Sequence, residues 1–179
     1  MLIIRFFFIL LSCSSCLYSP KDYAYTTAEL GDNGRYLIPL SGLTAALLLK
    51  DYQGVLQLAL ATGVVQGAAQ GLKLVTHEPR PNGSCCASFP SGHTSAAFTG
   101  AAFIQFRYGL LYSIPLYLGS CYVAYSRVKV KAHYLHDVAF GAALGVAGTY
   151  LSTTTYKDKQ LSLVIDRGFS GIIYRKLFD

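Results

Sequence analysis

Tryptophan is absent from the 179 residues, methionine occurs once, and charged side chains make up only 13% of the chain, about half of the ~25% usual in soluble domains. With 53% hydrophobic residues, so little charge excludes a disordered chain. Five cysteines are too few for a disulfide-stapled miniature scaffold. Cys85 and Cys86 are adjacent, which would strain a bridge between them and leaves pairing with another cysteine as the alternative in an oxidising compartment. No repeat, linker or low-complexity segment divides the chain. Lys and Arg outnumber Asp and Glu by 15 to 9, yet the aromatic-studded basic surface of a nucleic-acid binder is missing.

What is present is segregation. The stretches 52–72, 108–126 and 138–156 carry no charged side chain, and each approaches or reaches the ~20 residues of a bilayer-spanning helix. Apolar runs between punctuating residues predict helices over 36–50, 53–75, 92–109, 112–126 and 134–155. The expected fold is therefore all-α, a transmembrane bundle of five to six helices. Residues 20–35, with Pro20, Gly31, Asp32, Asn33 and Gly34, read as a polar loop. Residues 77–91 read as a Pro/Gly/Ser-rich loop between helices. Leu161–Ile165 and Gly171–Phe178, around Asp166-Arg167-Gly168, predict a short C-terminal β-hairpin. Three segments result: 1–19 as a targeting or anchoring segment, 20–156 as the helical domain and 157–179 as a tail.

The first segment has Arg5, an apolar run and then small residues, the layout of a bacterial secretory signal. It reads equally as an uncleaved first transmembrane helix, or as a lipoprotein signal with Cys13 lipidated. Each reading delivers residue 20 to the far side of the membrane. Small residues at four-residue spacing, Gly63/Gly67/Gly71, Gly92/Ala96/Gly100 and Gly141/Gly145, predict close helix approach. With the N-terminus inside, Lys50/Asp51, Arg107 and Lys157/Lys159 fall together on the cytoplasmic side. Segments 73–91 and 126–133 then share the outer face.

The polar residues that survive in this oily chain fall in three groups: Lys73 to Arg80-Pro81, Pro90-Ser91-Gly92-His93, and Ser126-Arg127 to His133 and Asp137. Two histidines, three fixed cations and a carboxylate at one end of a bundle suit a phosphate. His133 and Asp137 are four residues apart, so on one helix they share a face. The carboxylate then fixes the imidazole tautomer and leaves the other ring nitrogen free to attack phosphorus. Ser91, Gly92 and His93 open a helix whose free N–H groups bind anions. His77 and His136 read as structural, with His136 beside Asp137. The His133-x2-His136 pair with Asp137 and Glu78 hints at a metal cluster without a convincing ligand set. Lys129 and Lys131 read either as a headgroup attractor or as a solvated loop.

Lys-x6-Arg-Pro, Pro-Ser-Gly-His and Ser-Arg-x5-His-x3-Asp, in that order across residues 73–137, resemble the three-part signature of the type-2 phosphatidic acid phosphatase and vanadium haloperoxidase superfamily. The resemblance implies a helical-bundle, metal-independent phosphatase with no cofactor and a phosphohistidine intermediate. His133 would be the nucleophile, oriented by Asp137, and His93 the acid/base. Lys73, Arg80, Ser91, Gly92 and Arg127 would bind the phosphate. The expected substrate is a phosphorylated lipid or a small phosphate ester. The expected location is the bacterial inner membrane with a periplasmic site, or else the periplasm, free or lipid-anchored. Vanadium haloperoxidase and a catalytically silent membrane scaffold are the competing readings; oligomeric state is not legible.

Overall fold

The computed structural model describes residues 20–84, 86–156, 160–166 and 169–175. The predicted targeting segment 1–19, Cys85, residues 157–159, Arg167-Gly168 and residues 176–179 lie outside the described residues. Helices α1 (Pro20–Leu48), α2 (Tyr52–Thr76), α3 (Gly92–Tyr108), α4 (Leu110–Lys129) and α5 (Leu135–Ser152) precede strands β1 (Gln160–Asp166) and β2 (Phe169–Arg175). The strands pair antiparallel, with Asp166 opposite Phe169. Helix α3 is the centre of the bundle and touches all four other helices.

Around a small apolar core that includes Val65, Phe103 and Val123, this bundle buries many hydroxyls and exposes many leucines. Ser88, Ser91, Ser95, Thr99, Ser120, Ser126 and Thr149 are buried, whereas Leu48, Leu56, Leu60, Leu74, Leu118 and Leu151 are more than half exposed. Hydroxyls tolerate such burial because they bond to their own helix: Thr99 Oγ1 donates to Ser95 O at 2.8 Å and Thr149 Oγ1 to Gly145 O at 2.6 Å. Small residues let backbones meet, as helices prefer where lipid rather than water surrounds them. A Cβ at Gly100 would come within 2.5 Å of the Pro39 nitrogen, and one at Gly145 within 2.7 Å of Ser95 O. Helix α2 is long and apolar enough to cross a bilayer.

Two expectations are corrected. Residues 20–35 are helical, continuous with the segment predicted from residue 36. The glycines taken as turn formers are contact points instead: a Cβ at Gly34 would lie 2.5 Å from Val123 Cγ2, and one at Gly31 would overlap Ser126 and Arg127. Second, a Cβ at Gly63, Gly67 or Gly71 would meet nothing within 4 Å among the described residues. That face of α2 has the spacing for close approach and no helix of the bundle against it.

One end of the bundle closes on a buried ion pair. Arg107 donates to Asp51 through Nε at 2.7 Å and Nη2 at 2.6 Å, and through Nη1 to Thr154 O at 2.7 Å. Asp51 also accepts from Gly54 N, capping α2, and from the Tyr108 hydroxyl at 2.8 Å. Burial alone would push the Asp51 carboxyl up. The Arg107 guanidinium, the Gly54 N–H and the Tyr108 hydroxyl outweigh it and hold Asp51 below the usual carboxylate range. The segments carrying Asp51, Arg107 and Thr154 are thus drawn to one end, and the three motif segments to the other.

Candidate active site

A cavity of about 500 Å³ opens at the motif end, lined by residues that include Lys73, Arg80, Gly92, His93 and His133. Lys73 lies in the last turn of α2. Its ammonium donates to Ala87 O at 2.8 Å and Pro90 O at 2.7 Å, which leaves one of its three N–H bonds for the cavity. The 77–91 loop is held by Ser88 N donating to Glu78 O at 3.0 Å and by the Thr76 hydroxyl donating to Phe89 O at 3.2 Å. Arg80 thereby points into the cavity, its guanidinium free of hydrogen bonds to the described residues.

Ser91 is fully buried and caps α3, accepting from Thr94 N at 3.4 Å. Its N–H donates to Asp137 O at 3.1 Å, so the second motif is fastened to the third. Gly141 permits this approach, since a Cβ there would sit 2.7 Å from Ser91 O. Ser91, Arg127 and Asp137 do not line the cavity. Ser91 and Asp137 stand behind it as supports; Arg127 sits one step back, bonded to the same Asp32 oxygen as His93.

His133 is buried in the turn before α5, its Nδ1 3.4 Å from Asp137 Oδ2. That oxygen also accepts from Ser88 Oγ at 2.5 Å and Tyr134 N at 2.9 Å. Asp137 therefore stands beside the histidine and caps the helix that follows it. His133 Nδ1 and Asp137 Oδ1 are both buried without an aligned hydrogen bond. Burial lowers the His133 pKa to about 4, assisted by the Lys73 and Arg80 cations; Asp137 and the Ser88 backbone act in the opposite direction. The imidazole is thus neutral near pH 7 and keeps a lone pair.

His93 Nε2 lies 2.7 Å from Asp32 Oδ1, and the same oxygen accepts from Arg127 Nη1 at 2.7 Å. Arg127 also donates to Ala28 O at 2.7 Å and to Ser126 Oγ at 3.1 Å. Asp32 and Arg35, which lines the cavity, escaped the sequence reading because their segment was taken for a loop. The detectable signal was their i, i+3 spacing beside Gly31, a polar helical face next to a contact glycine.

His77 caps α2 in a left-handed conformation, φ 48°, its N–H donating to Lys73 O. His136 is exposed and spans Glu78 and Asp137, 3.0 Å from each. Those three residues offer ligand atoms within 4.8 Å of one another; His136 already links both carboxylates. Lys129 and Lys131 are exposed, and Cys86 is disulfide-bonded. A second cavity, of about 590 Å³ and lined by Leu40, Leu43, Val55, Leu58 and Ala59, shares Tyr36, Pro39 and Thr62 with the first.

This arrangement agrees with comparison to known proteins. The PAP2 superfamily profile matches residues 54–161. The lipid A 4'-phosphatase of Helicobacter pylori is 34% identical over 164 residues, which cover 84% of this chain and 82% of that protein. The lipid A 1-phosphatase of Porphyromonas gingivalis is 31% identical over 107 residues, 56% of this chain and 24% of the relative. The crystal structure of Aquifex aeolicus LpxE superposes with a TM-score of 0.64 at 23% identity, covering 75% of this chain and 87% of that one. A PAP2-type phosphatidylglycerolphosphate phosphatase from Bacillus subtilis gives 0.59 at 23% identity, covering 76% and 77%; these two likenesses concern the fold. The chain belongs to the PAP2 superfamily. It is a membrane enzyme of that class, a phosphoric ester hydrolase.

Proposed function

We propose that the protein removes a phosphate monoester from a lipid A-type glycolipid at the periplasmic face, through a phosphohistidine on His133. The observation that carries the reading is the juxtaposition of two histidines and the Lys73 and Arg80 cations in one cavity that continues into an apolar groove. A phosphate held by the cations would leave the acyl chains of its lipid on the apolar side. The identity with a lipid A 4'-phosphatase over most of both chains supports a glycolipid substrate.

The chemistry follows from the geometry. With Nδ1 turned to Asp137, His133 Nε2 attacks phosphorus as the ester P–O bond breaks and His93 gives a proton to the departing oxygen. Water then attacks the phosphohistidine, His93 takes back a proton, and the N–P bond breaks to release phosphate. Lys73, Arg80, and Arg127 through N–H bonds its protein partners leave unused, stabilise the equatorial oxygens; the amide groups at Gly92 and His93 add the anion affinity of a helix start. None of these steps is assigned to a metal or cofactor. Detergent-purified protein, in chelator, should shorten lipid A by one phosphate in mass spectra and be inhibited by vanadate. Undiminished turnover by His133→Ala would eliminate the nucleophile, and activity on p-nitrophenyl phosphate without any on lipid A would eliminate the substrate.

A further inference from the structure

We propose that Asp32 is the positioning carboxylate of the acid/base half of the site, holding His93 and Arg127 together on one oxygen as Asp137 holds His133. The inference rests on the two-histidine mechanism above and deepens it. Asp32 comes from α1, outside the residues 54–161 matched by the family, and none of the three motifs contains it.

Three observations converge on it. One Asp32 oxygen is 2.7 Å from both His93 Nε2 and Arg127 Nη1. The helix that carries it is pinned to the same arginine one turn earlier, where Arg127 Nη2 donates to Ala28 O at 2.7 Å. Between them stands Gly31, where any side chain would overlap Ser126 Oγ and Arg127 Nη2. Stability does not account for so close a docking. Asp32 is 52% exposed, and ion pairs with an exposed partner contribute little to stability.

Function does account for it. A carboxylate accepting from Nε2–H fixes the His93 tautomer and leaves Nδ1 for the travelling proton. In the first step the imidazolium passes its Nδ1 proton to the departing oxygen and becomes neutral, and in the second Nδ1 takes a proton from water; Asp32 balances the imidazolium present before the first step and restored after the second. The need is evident from the surroundings. Arg35 on α1 and Arg127 on α4 both present positive charge toward His93, while Lys73 and Arg80 act on His133 in the same cavity. Asp32 supplies the counter-charge. Arg127 has five N–H bonds and gives three to Asp32, Ala28 and Ser126, which leaves two for phosphate.

The test compares Asp32→Asn, Asp32→Glu and Gly31→Ala with the wild type on p-nitrophenyl phosphate, so that failure on lipid A leaves it intact. His133→Ala is the inert control. Asp32→Asn should lower kcat about 10- to 100-fold with KM changed less than about threefold, and should move the basic limb of the pH profile down by about one unit. Asp32→Glu should recover most of the loss, and the thermal midpoints of both Asp32 variants should stay within a few degrees; Gly31→Ala should shift the limb as Asn does while lowering the midpoint, because its Cβ meets Ser126 and Arg127. A lower KM and tighter vanadate inhibition, with kcat and pH profile unchanged, would make Asp32 a plug that substrate displaces and overturn the proposal. So would a loss of thermal stability with no shift of the limb. Histidine ring 15N NMR of the resting protein needs no turnover: an Nε2-protonated His93 that becomes a tautomer mixture in Asp32→Asn supports the assignment, and an Nδ1-protonated wild type refutes it.

Discussion

The two ends of the bundle use the same kinds of residue to opposite effect. At one end Arg107 meets Asp51 with two hydrogen bonds, and Gly54, Tyr108 and Thr154 take up the remaining valences. At the other, Arg80 is unclaimed by the described residues and Lys73 has a donor to spare, both on the wall of the cavity. Saturated charges hold helices; unsaturated ones await a ligand. These two cations stand where the motifs converge, which is the pattern of a site rather than of a clasp.

Substitutions can break this contrast. The largest effect is expected at His133, where alanine should reduce turnover by about 10⁴-fold or more while leaving the melting temperature nearly unchanged. Asp51→Ala should do the converse. It strands Arg107 without its buried partner, which costs about 3–5 kcal/mol, and should lower the denaturation midpoint while turnover per folded molecule holds; a large fall in kcat with unchanged stability would refute the division of labour. Lys73→Met removes one cation from the phosphate and should lower kcat about 10²–10³-fold, measured in the same assay.

The smallest effect separates the ends by pH. His133 titrates near 4 when folded, against 6.5 as its ordinary value, and attacks only when unprotonated. Activity should therefore persist on acidification until about pH 4, where the acid limb of kcat/KM is expected. Because the folded pKa is the lower one, protons favour the unfolded chain, and His133 makes stability decline as pH falls from 6.5 toward 4. Asp51 is also depressed, so its contribution is present above pH 3.8 and fades as pH falls through its lower folded value. An acid limb at 6.5 would show that burial and the neighbouring cations do not act on His133 as described.

Much of this was legible in the chain because the three motifs bring their own spacing. The spacing of His133 and Asp137 brings them together, although His133 lies in the turn before α5 and not on the helix as a shared face required, and Ser91 announces the start of α3 as an N-cap. Punctuation by Gly and Pro located α2 to α5 within a few residues. The misses share a cause. Gly31 and Gly34 were read for their backbone freedom, when it is their lack of a side chain that lets α1 reach Val123 and Arg127; with the loop went Asp32 and Arg35. The spacing of Gly63, Gly67 and Gly71 correctly defines a face, but spacing cannot say what lies against it. Arg107 looked like a topological charge, since its partner Asp51 is 56 residues away.

Asp137 carries a last implication. Its Oδ2 lies beside His133, the proposed nucleophile, and, by accepting from Tyr134 N, starts the helix beneath it, while its backbone carbonyl receives Ser91 N. Natural selection on foldability and on chemistry therefore fall on one residue. In a lineage that abandoned hydrolysis, His133 would be free to drift before Asp137, and a surviving aspartate beside a lost histidine would be the mark of a retired enzyme.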